Sequence, residues 1–246
     1  MMPVQLARST SVPDIQFRSD MTVELVNYMA SDSAVAMAAR VSTVSGTHQE
    51  AVDGSKDAGL INYLMRDRHG SPFEHNAFTF FVEAPLFVFR EFQRHRIASY
   101  NEESGRYKEL EPVFYVPDSD RKLVQVGKPG AYTFEDGDYA QRMMVPGEIM
   151  RTSDDAYLSY KRMINQGIAR EVARMVLPLN IYSSMYVTMN ARSLMNFLSL
   201  RSLAQGTYPS FPQEEIATVA DKMEDIFEEL MPITHNCFVN NGRVAP

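Results

Sequence analysis

Apolar positions along the chain fall into short blocks with two rhythms, one suited to strands and the other to helices. Met21 to Tyr28, rich in Val, Leu and Tyr, predicts a strand, as does the aromatic and β-branched run from Asn76 to Glu83. Between them, Ser31 or Asp32 can cap a short helix through Ala34, Val35, Met37 and Ala38. A polar connection from Val44 to Gly54 leads into a helix from Lys56 to Arg68 that stops at Gly70 and Pro72. Pro85 suits the first turn of a helix over Leu86 to Arg94, and Pro112 to Pro117 is a short strand. Ser153 caps a long helix running toward Pro178, with Gly167 as a break within it. Asn180 to Thr188 follows as a strand, Asn190 to Leu203 as a helix, and Pro212 to Leu230 as a last amphipathic helix.

Two segments lack a clear period. Met1 to Asp20, broken by Pro3 and Pro13, is expected to be a loose arm. Asp118 to Gly147 mixes Gly, Pro and Asp with single apolar residues, which predicts a surface insertion over 118–148 carrying one hairpin. Strands and helices interleave without a strict βαβ rhythm, so the expected class is α+β. We expect a mixed, largely antiparallel sheet flanked by long helices, in one domain spanning 1–246. No G-x-G-x-x-G lies between a strand and a helix, so a doubly wound dinucleotide site is unsupported.

Composition narrows the chemistry. The net charge of −7 repels phosphates overall, so any bound anion needs a local basic cluster, and nucleic acid is not an expected partner. The single cysteine, Cys237, rules out an internal disulfide. It is expected to be a small, partly buried thiol, and with His235 it falls short of a zinc set; no metal is expected. Met1 to Asp20 lacks the apolar core of a signal peptide, and no run approaches about 20 apolar residues. A cytoplasmic protein without membrane association is the expectation.

The most informative stretch runs Arg94-His95-Arg96-Ile97-Ala98-Ser99-Tyr100-Asn101-Glu102-Glu103-Ser104-Gly105-Arg106-Tyr107. Arginine's planar fork binds phosphate bidentately, and Gly105 lets backbone N–H groups approach an anion. Asn101 and Glu102 can read a base or ribose edge. On composition alone, a solvated loop with its own Arg–Glu pairs explains the stretch equally well.

The pattern itself resembles the R-H-R-x-x-S-x-N-x-x-S-x-R-Y signature of flavin-dependent thymidylate synthases, met at Arg94, His95, Arg96, Ser99, Asn101, Ser104, Arg106 and Tyr107. Three further blocks resemble the same family: Ser71-Pro72-Phe73-Glu74-His75, the Ala169–Arg174 run with Leu177–Asn180, and Asn190–Leu198 with Leu200-Arg201. Together they cover most of 57–205; 118–148 and the tail after about Thr207 match no block.

The resemblance implies that the chain converts dUMP to dTMP. Methylenetetrahydrofolate would be the one-carbon source, with NADPH supplying hydride through FAD, in a homotetramer with active sites shared between subunits. It places Arg94, Ser104, Gly105, Arg106 and Arg174 on the phosphate and ribose of dUMP, with Glu91, Glu102, Glu103 and Tyr107 in the same substrate set. Arg201 is placed by the uracil as the catalytic group that polarises the ring. The implied FAD residues are Ser71, Arg94, His95, Arg96, Glu102, Asn190, Arg192 and Asn196. Two positions depart from the family pattern: Glu91 stands where Gln is usual, and Gln205 where His is frequent.

Spacing adds its own constraints. Arg170 and Arg174 share a helix face, where Arg174 takes the functional role and Arg170 is an ordinary solvated arginine. Arg192 and Asn196 are also aligned, but Arg201 lies roughly 140° from Asn196 and about 180° from Arg192 around a straight helix. Either the helix is irregular near Asn190, or its two faces serve different subunits. Leu194, Phe197 and Leu198 form its core stripe. His95, between Arg94 and Arg96, is expected to be neutral; His69 and His75 either line the site or close the turn. Ser99 and Tyr107 are given positioning roles. Alternatives are a relative that binds FAD and nucleotide without turnover, a nucleic-acid binder, and a protein docking through Glu214 to Leu230.

Overall fold

The computed structural model describes residues 14–42 and 54–246; most of the expected N-terminal arm and of the 44–54 connection lies outside them. The strands are β1 (Gln16–Arg18), β2 (Thr22–Met29), β3 (Ala77–Pro85), β4 (Ser99–Glu102), β5 (Val113–Tyr115), β6 (Val124–Lys128), β7 (Ala131–Glu135) and β8 (Tyr182–Met189). The helices are α1 (Asp32–Arg40), α2 (Gly54–Arg66), α3 (Leu86–Phe92), α4 (Tyr139–Asn165), α5 (Arg170–Ala173), α6 (Ala191–Arg201), α7 (Glu214–Leu230) and α8 (Pro232–Asn240). These elements fall into two compact units, each built from separate stretches of chain.

The larger unit comprises Asp20–Glu103, Gly127–Tyr132 and Ser183–Pro246. Its four-stranded sheet has the order β2-β3-β8-β4. β2 is antiparallel to β3, with a register shift between Leu25 and Asn27, and β4 is antiparallel to β8. The expected α+β class with an antiparallel sheet is therefore found. β3 shows why it is a strand: Phe78, Phe80, Val82 and Ala84 alternate onto the buried face. Phe78 stacks on Phe80 at 6.0 Å and meets Phe227 of α7 edge-on, also at 6.0 Å. α7 presents Ile216, Val219, Ala220, Met223 and Phe227 at helical spacing, all buried. In α6 the expected stripe of Leu194, Phe197 and Leu198 is indeed core.

The smaller unit comprises the chain to Ser19, Ser104–Val126 and Thr133–Tyr182. Here β1 pairs in parallel with β5. Its long helix differs from the expectation. It begins at Tyr139, where Asp138 and Gln141 form a reciprocal capping box, and continues through Pro146. Ser153 is an interior, buried residue whose hydroxyl lies 3.0 Å from Asn180 Nδ2. Of the expected insertion, the hairpin β6–β7 is present, but residues 139–148 are helix. The Pro146-Gly147 pair disguised it, since proline normally interrupts the helical ladder. Gly167, with φ of 79°, does end the region, and α5 passes into a short 3₁₀ turn at Arg174–Val176. Arg170 and Arg174 thus do not share one regular helix.

The chain also has a helix after the one expected to be last. α8 follows α7 almost directly, and its N-terminus is capped from a distance. The Asp32 carboxylate accepts from Ile233 N at 3.0 Å, Thr234 N at 2.8 Å and Thr234 Oγ1 at 2.6 Å. Helix N-termini leave N–H groups unpaired, and Thr234 is fully buried, so among the described residues Asp32 is the acceptor that satisfies them. Among the described residues no helix is long and apolar enough to cross a membrane. Asp32→Ala should lower unfolding free energy by about 1–3 kcal/mol, measurable by urea denaturation, with Asp32→Asn retaining part of the loss; an unchanged midpoint would remove the cap from this account.

Candidate active site

α3 ends at Phe92, two residues before the arginine-rich stretch, so Arg94, His95 and Arg96 stand on a turn rather than a helix. Tyr100 locks that turn, its hydroxyl lying 2.9 Å from Phe92 O and 2.7 Å from His95 O. Burial pushes the Tyr100 phenol up to about 12, so it stays protonated and donates. Aromatic packing fixes the other side. Phe92 stacks on Phe197 of α6 at 4.8 Å, and His95 meets the same ring edge-on at 4.9 Å.

Arg201, the last residue of α6, closes onto this turn. It forms an ion pair with the Glu91 carboxylate, and its Nε donates to His95 Nε2 at 3.1 Å. A guanidinium can only donate, so His95 Nε2 carries the lone pair and Nδ1 the proton. Burial, and then the Arg201 charge, lower the His95 pKa to about 4. The imidazole is therefore neutral, as expected, but the cause is burial and Arg201 rather than Arg94 and Arg96.

Beside this triad lies an open cleft of about 470 Å³. The turn contributes Arg94, His95, Arg96 and Ile97; α6 contributes Arg192, Ser193, Asn196, Leu200 and Arg201. Glu74, Ala245 and Pro246 complete the lining. Arg94 and Arg96 are exposed, and their side chains have no ion-pair partner among the described residues. Arg192 is engaged, with Nη1 2.5 Å from Glu74 Oε1 and Nε donating to Pro246 O at 2.6 Å.

Arg192, Asn196 and Arg201 thus line one cleft, although helical geometry set Arg201 apart. The helix is regular, and its angular spacing describes Cα directions only. An arginine side chain far exceeds the roughly 2.3 Å radius of the helix backbone, so Arg201 at the open end can sweep back.

Other expected residues lie elsewhere. Asn190 caps α6, its side chain accepting from Ser193 N at 2.8 Å. Ser71 is exposed in the short 3₁₀ turn Ser71–Glu74, and Glu102 is exposed on β4; neither lines the cleft. Glu103 accepts from Ser184 Oγ at 3.2 Å. Gln205 donates locally to Leu203 O. His69 stacks on Tyr63, and neither it nor His75 lines the cleft. Cys237 is buried, and burial with the nearby Asp32 charge raises its thiol pKa, so it is a poor nucleophile. Glu74 belonged to a recognised block without a role, whereas Ala245 and Pro246 gave no signal at all.

Within the smaller unit, Ser104, Gly105, Arg106 and Tyr107 form a turn, with Ser104 Oγ accepting from Arg106 N at 3.3 Å. Gly105 is buried, and a Cβ there would stand 3.1 Å from Leu110 Cδ1 and 3.4 Å from Arg174 Cδ. Arg174 therefore packs against this turn. Arg106 lies over the Tyr107 ring and pairs with Glu171 at 3.2 Å. Both partners of that pair are more than half exposed, so it is weak and readily exchanged for another anion.

Imidazole NMR tests the triad. His95 should remain neutral, protonated on Nδ1, from pH 8 down to about pH 5, and should titrate near 4. In Arg201→Ala the midpoint should rise only part of the way toward 6.5, because burial is the larger cause. A wild-type midpoint near 6.5 would contradict the geometry.

The sequence matches, over residues 24–233, the family described as Thy1, thymidylate synthase complementing protein. That match extends past Thr207, beyond the four motif blocks. The chain is 59% identical over 238 residues to the flavin-dependent thymidylate synthase of Tropheryma whipplei strain TW08/27, covering 96% of this chain and 99% of the relative. It is 57% identical over 238 residues to that of Streptomyces coelicolor, covering 95% and 97%. Among solved structures, the UMP/dUMP methylase PolB of Streptomyces cacaoi, bound with 5-Br dUMP, is 51% identical with a TM-score of 0.90, covering 94% of this chain and 100% of that one. With a family match across both units and relatives sharing well over half of their residues, this chain belongs to the flavin-dependent thymidylate synthase family.

Proposed function

We propose that this chain, as a flavin-dependent thymidylate synthase, methylates dUMP to dTMP. Methylenetetrahydrofolate is the one-carbon donor in this reading, and NADPH supplies reducing equivalents through FAD. The observation that carries it is the cleft. In a chain of net charge −7 it gathers two unpaired guanidiniums, Arg94 and Arg96, beside the Arg201–Glu91–His95 triad. Arg94, Arg96 and Arg192 suit the anionic diphosphate of FAD, while Ser193 and Asn196 offer hydrogen bonds to its polar edges. When bound, FAD supplies the hydride that reduces the transferred carbon.

The chain's own residues have separate tasks. Arg201 faces developing negative charge on the uracil, which a fixed cation stabilises better than water does. Neutral His95 accepts from Arg201 and orients it, and Glu91 balances part of its charge. Ser104, Gly105, Arg106 and Arg174 are assigned to the phosphate and ribose of dUMP, and their mutual packing supports that grouping. Glu102, Glu103 and Tyr107 stay in the substrate set as positioning groups. The buried Cys237 offers no nucleophile in the cleft, which favours ring activation by charge.

We further propose a single functional domain, a cytoplasmic location and a homotetramer. The domain reading is supported by a family match running through both units. The assembly is supported by exposed Val26, Tyr28 and Met29 on β2, an apolar surface of the kind that interfaces cover. Ser71, Asn190 and Glu102 retain their FAD assignment in such an assembly, where a neighbour's cofactor is within the reading.

Purified protein should show flavin absorbance that bleaches with NADPH under anaerobic conditions and shifts on adding dUMP, with dTMP formed once methylenetetrahydrofolate is supplied. Running UMP in parallel tests the choice of ribose. Protein that takes up no FAD would overturn the reading. Glu91→Gln should leave Arg201 uncompensated, tightening dUMP binding about 3- to 10-fold (~0.7–1.4 kcal/mol) while lowering kcat through a less fixed guanidinium. Unchanged affinity for dUMP would remove Glu91 from the substrate site.

A further inference from the structure

The segment Arg243–Pro246, which lies beyond the family match, is built into the cleft. It leaves α8 through Gly242 and Arg243, with φ of 77° and 55°. A Cβ on Gly242 would stand 2.0 Å from Thr207 Oγ1, and one on Gly206 would stand 2.7 Å from Gly242 O, so the two stretches cross where side chains have no room. Thr207 N donates to Gly242 O at 2.8 Å across that crossing.

Arg243 then anchors the segment. It is 7% exposed, donates to both oxygens of Glu224 at 2.7 and 2.6 Å, and lies 5.2 Å from the Phe238 ring centre. Glu224 also bonds His235 Nε2 at 2.9 Å. Burial alone would raise the Glu224 carboxyl, but hydrogen bonds from His235 and Arg243, with the Arg243 charge, hold it at about 2. The anchor is therefore a buried ion pair, fully formed at neutral pH.

Beyond the anchor, the backbone oxygens of three consecutive residues face two arginines. Arg68 Nη1 donates to Val244 O at 2.7 Å and Ala245 O at 3.2 Å; Arg192 Nε donates to Pro246 O at 2.6 Å. Gly70 lies beneath, where a Cβ would come within 2.7 Å of the Arg192 guanidinium and 2.9 Å of Pro246 O. With Nη1 on Glu74, Arg192 is held on two sides and against Gly70. Its Nη2 has no partner among the described residues, and the side chain is still 47% exposed in the cleft.

We propose that Arg243–Pro246 is a positioning arm of the cofactor site, fixing Arg192 so that its free edge meets the anionic part of the flavin nucleotide. The inference rests on the reading that this cleft takes FAD. The arm acts through Arg192: the Pro246 backbone oxygen directs Nε, the Glu74 carboxylate directs Nη1, and the remaining edge is presented without a search through rotamers.

The test uses the full protein with FAD as the probe. FAD binding is followed by flavin fluorescence, and dUMP binding at saturating FAD is followed separately by calorimetry. Ending the chain after Arg243 should weaken FAD about tenfold and leave dUMP affinity unchanged. Arg68→Ala, an exposed change that leaves the fold intact, should shift FAD affinity the same way by a smaller factor. In an Arg192→Ala background neither change should weaken FAD further, since the arm would have nothing left to position. An unchanged or tighter FAD affinity on truncation would overturn the proposal, the tighter result marking the arm as a competitor. Full additivity with Arg192→Ala would also overturn it. Wild-type protein that binds no FAD would instead sink the functional reading itself.

Discussion

The contact between Arg201 and the pair formed by Glu91 and His95 is the constraint on which the cleft depends. It ties the end of α6 to the turn after α3, two segments more than a hundred residues apart in sequence. The Phe92–Phe197 stack brings the same two elements together from the apolar side. Packing sets the distance and the guanidinium sets the orientation. Because Arg201 can only donate, it also decides which nitrogen of His95 carries the proton. One side chain thus fixes the orientation and tautomer of its neighbour, while burial is the larger cause of that imidazole's neutrality.

The arginines around the cleft are graded by how far they are already satisfied. Arg201 is paired and only 18% exposed, Arg192 is paired and half exposed, and Arg94 and Arg96 are exposed without ion-pair partners. Arginines that are already held offer a set direction, while unpaired ones offer affinity for an incoming anion. A net negative chain needs this division, because its overall field opposes anion entry and only a local concentration of unpaired cations can reverse it. The departure at Glu91 belongs to the same balance. A glutamine there would hydrogen-bond Arg201 without offsetting its charge, whereas the carboxylate found here tempers it.

Much of this was legible in the sequence, and the parts that were not share a cause. Val, Leu, Tyr and other β-branched or aromatic residues marked β2 and β3, Asn180 to Thr188 read as the strand found as β8, and the helical stripe of Leu194, Phe197 and Leu198 gave α6 its buried face. The resemblance named Arg94, His95, Arg96, Arg192, Asn196 and Arg201, and all six line one cleft. What failed were inferences limited to local signals. Pro146-Gly147 hid the first turns of α4, and Ser153 resembled a cap while its real partner, Asn180, is 27 residues away. The angular separation of Arg201 ignored the reach of its side chain. Glu74, Ala245 and Pro246 lie in the cleft because distant chain segments fold there, and no spacing pattern records that.

The C-terminal region shows how such distant placement is enforced. α8 has a weak apolar face of its own, and its position is set from outside by two carboxylates. Asp32 of α1 supplies the missing acceptors at its start, and Glu224 of α7 holds Arg243 just after its end. Each bond joins a charged group to a buried donor that would otherwise be unsatisfied, so neither can be exchanged for water without cost. Fixing both ends of a nine-residue helix leaves the following residues little freedom in direction. They can therefore present three successive backbone oxygens to Arg68 and Arg192. The placement of Arg192 in the cleft is in this way traced back, through one short segment, to two carboxylates that lie outside the cleft's lining.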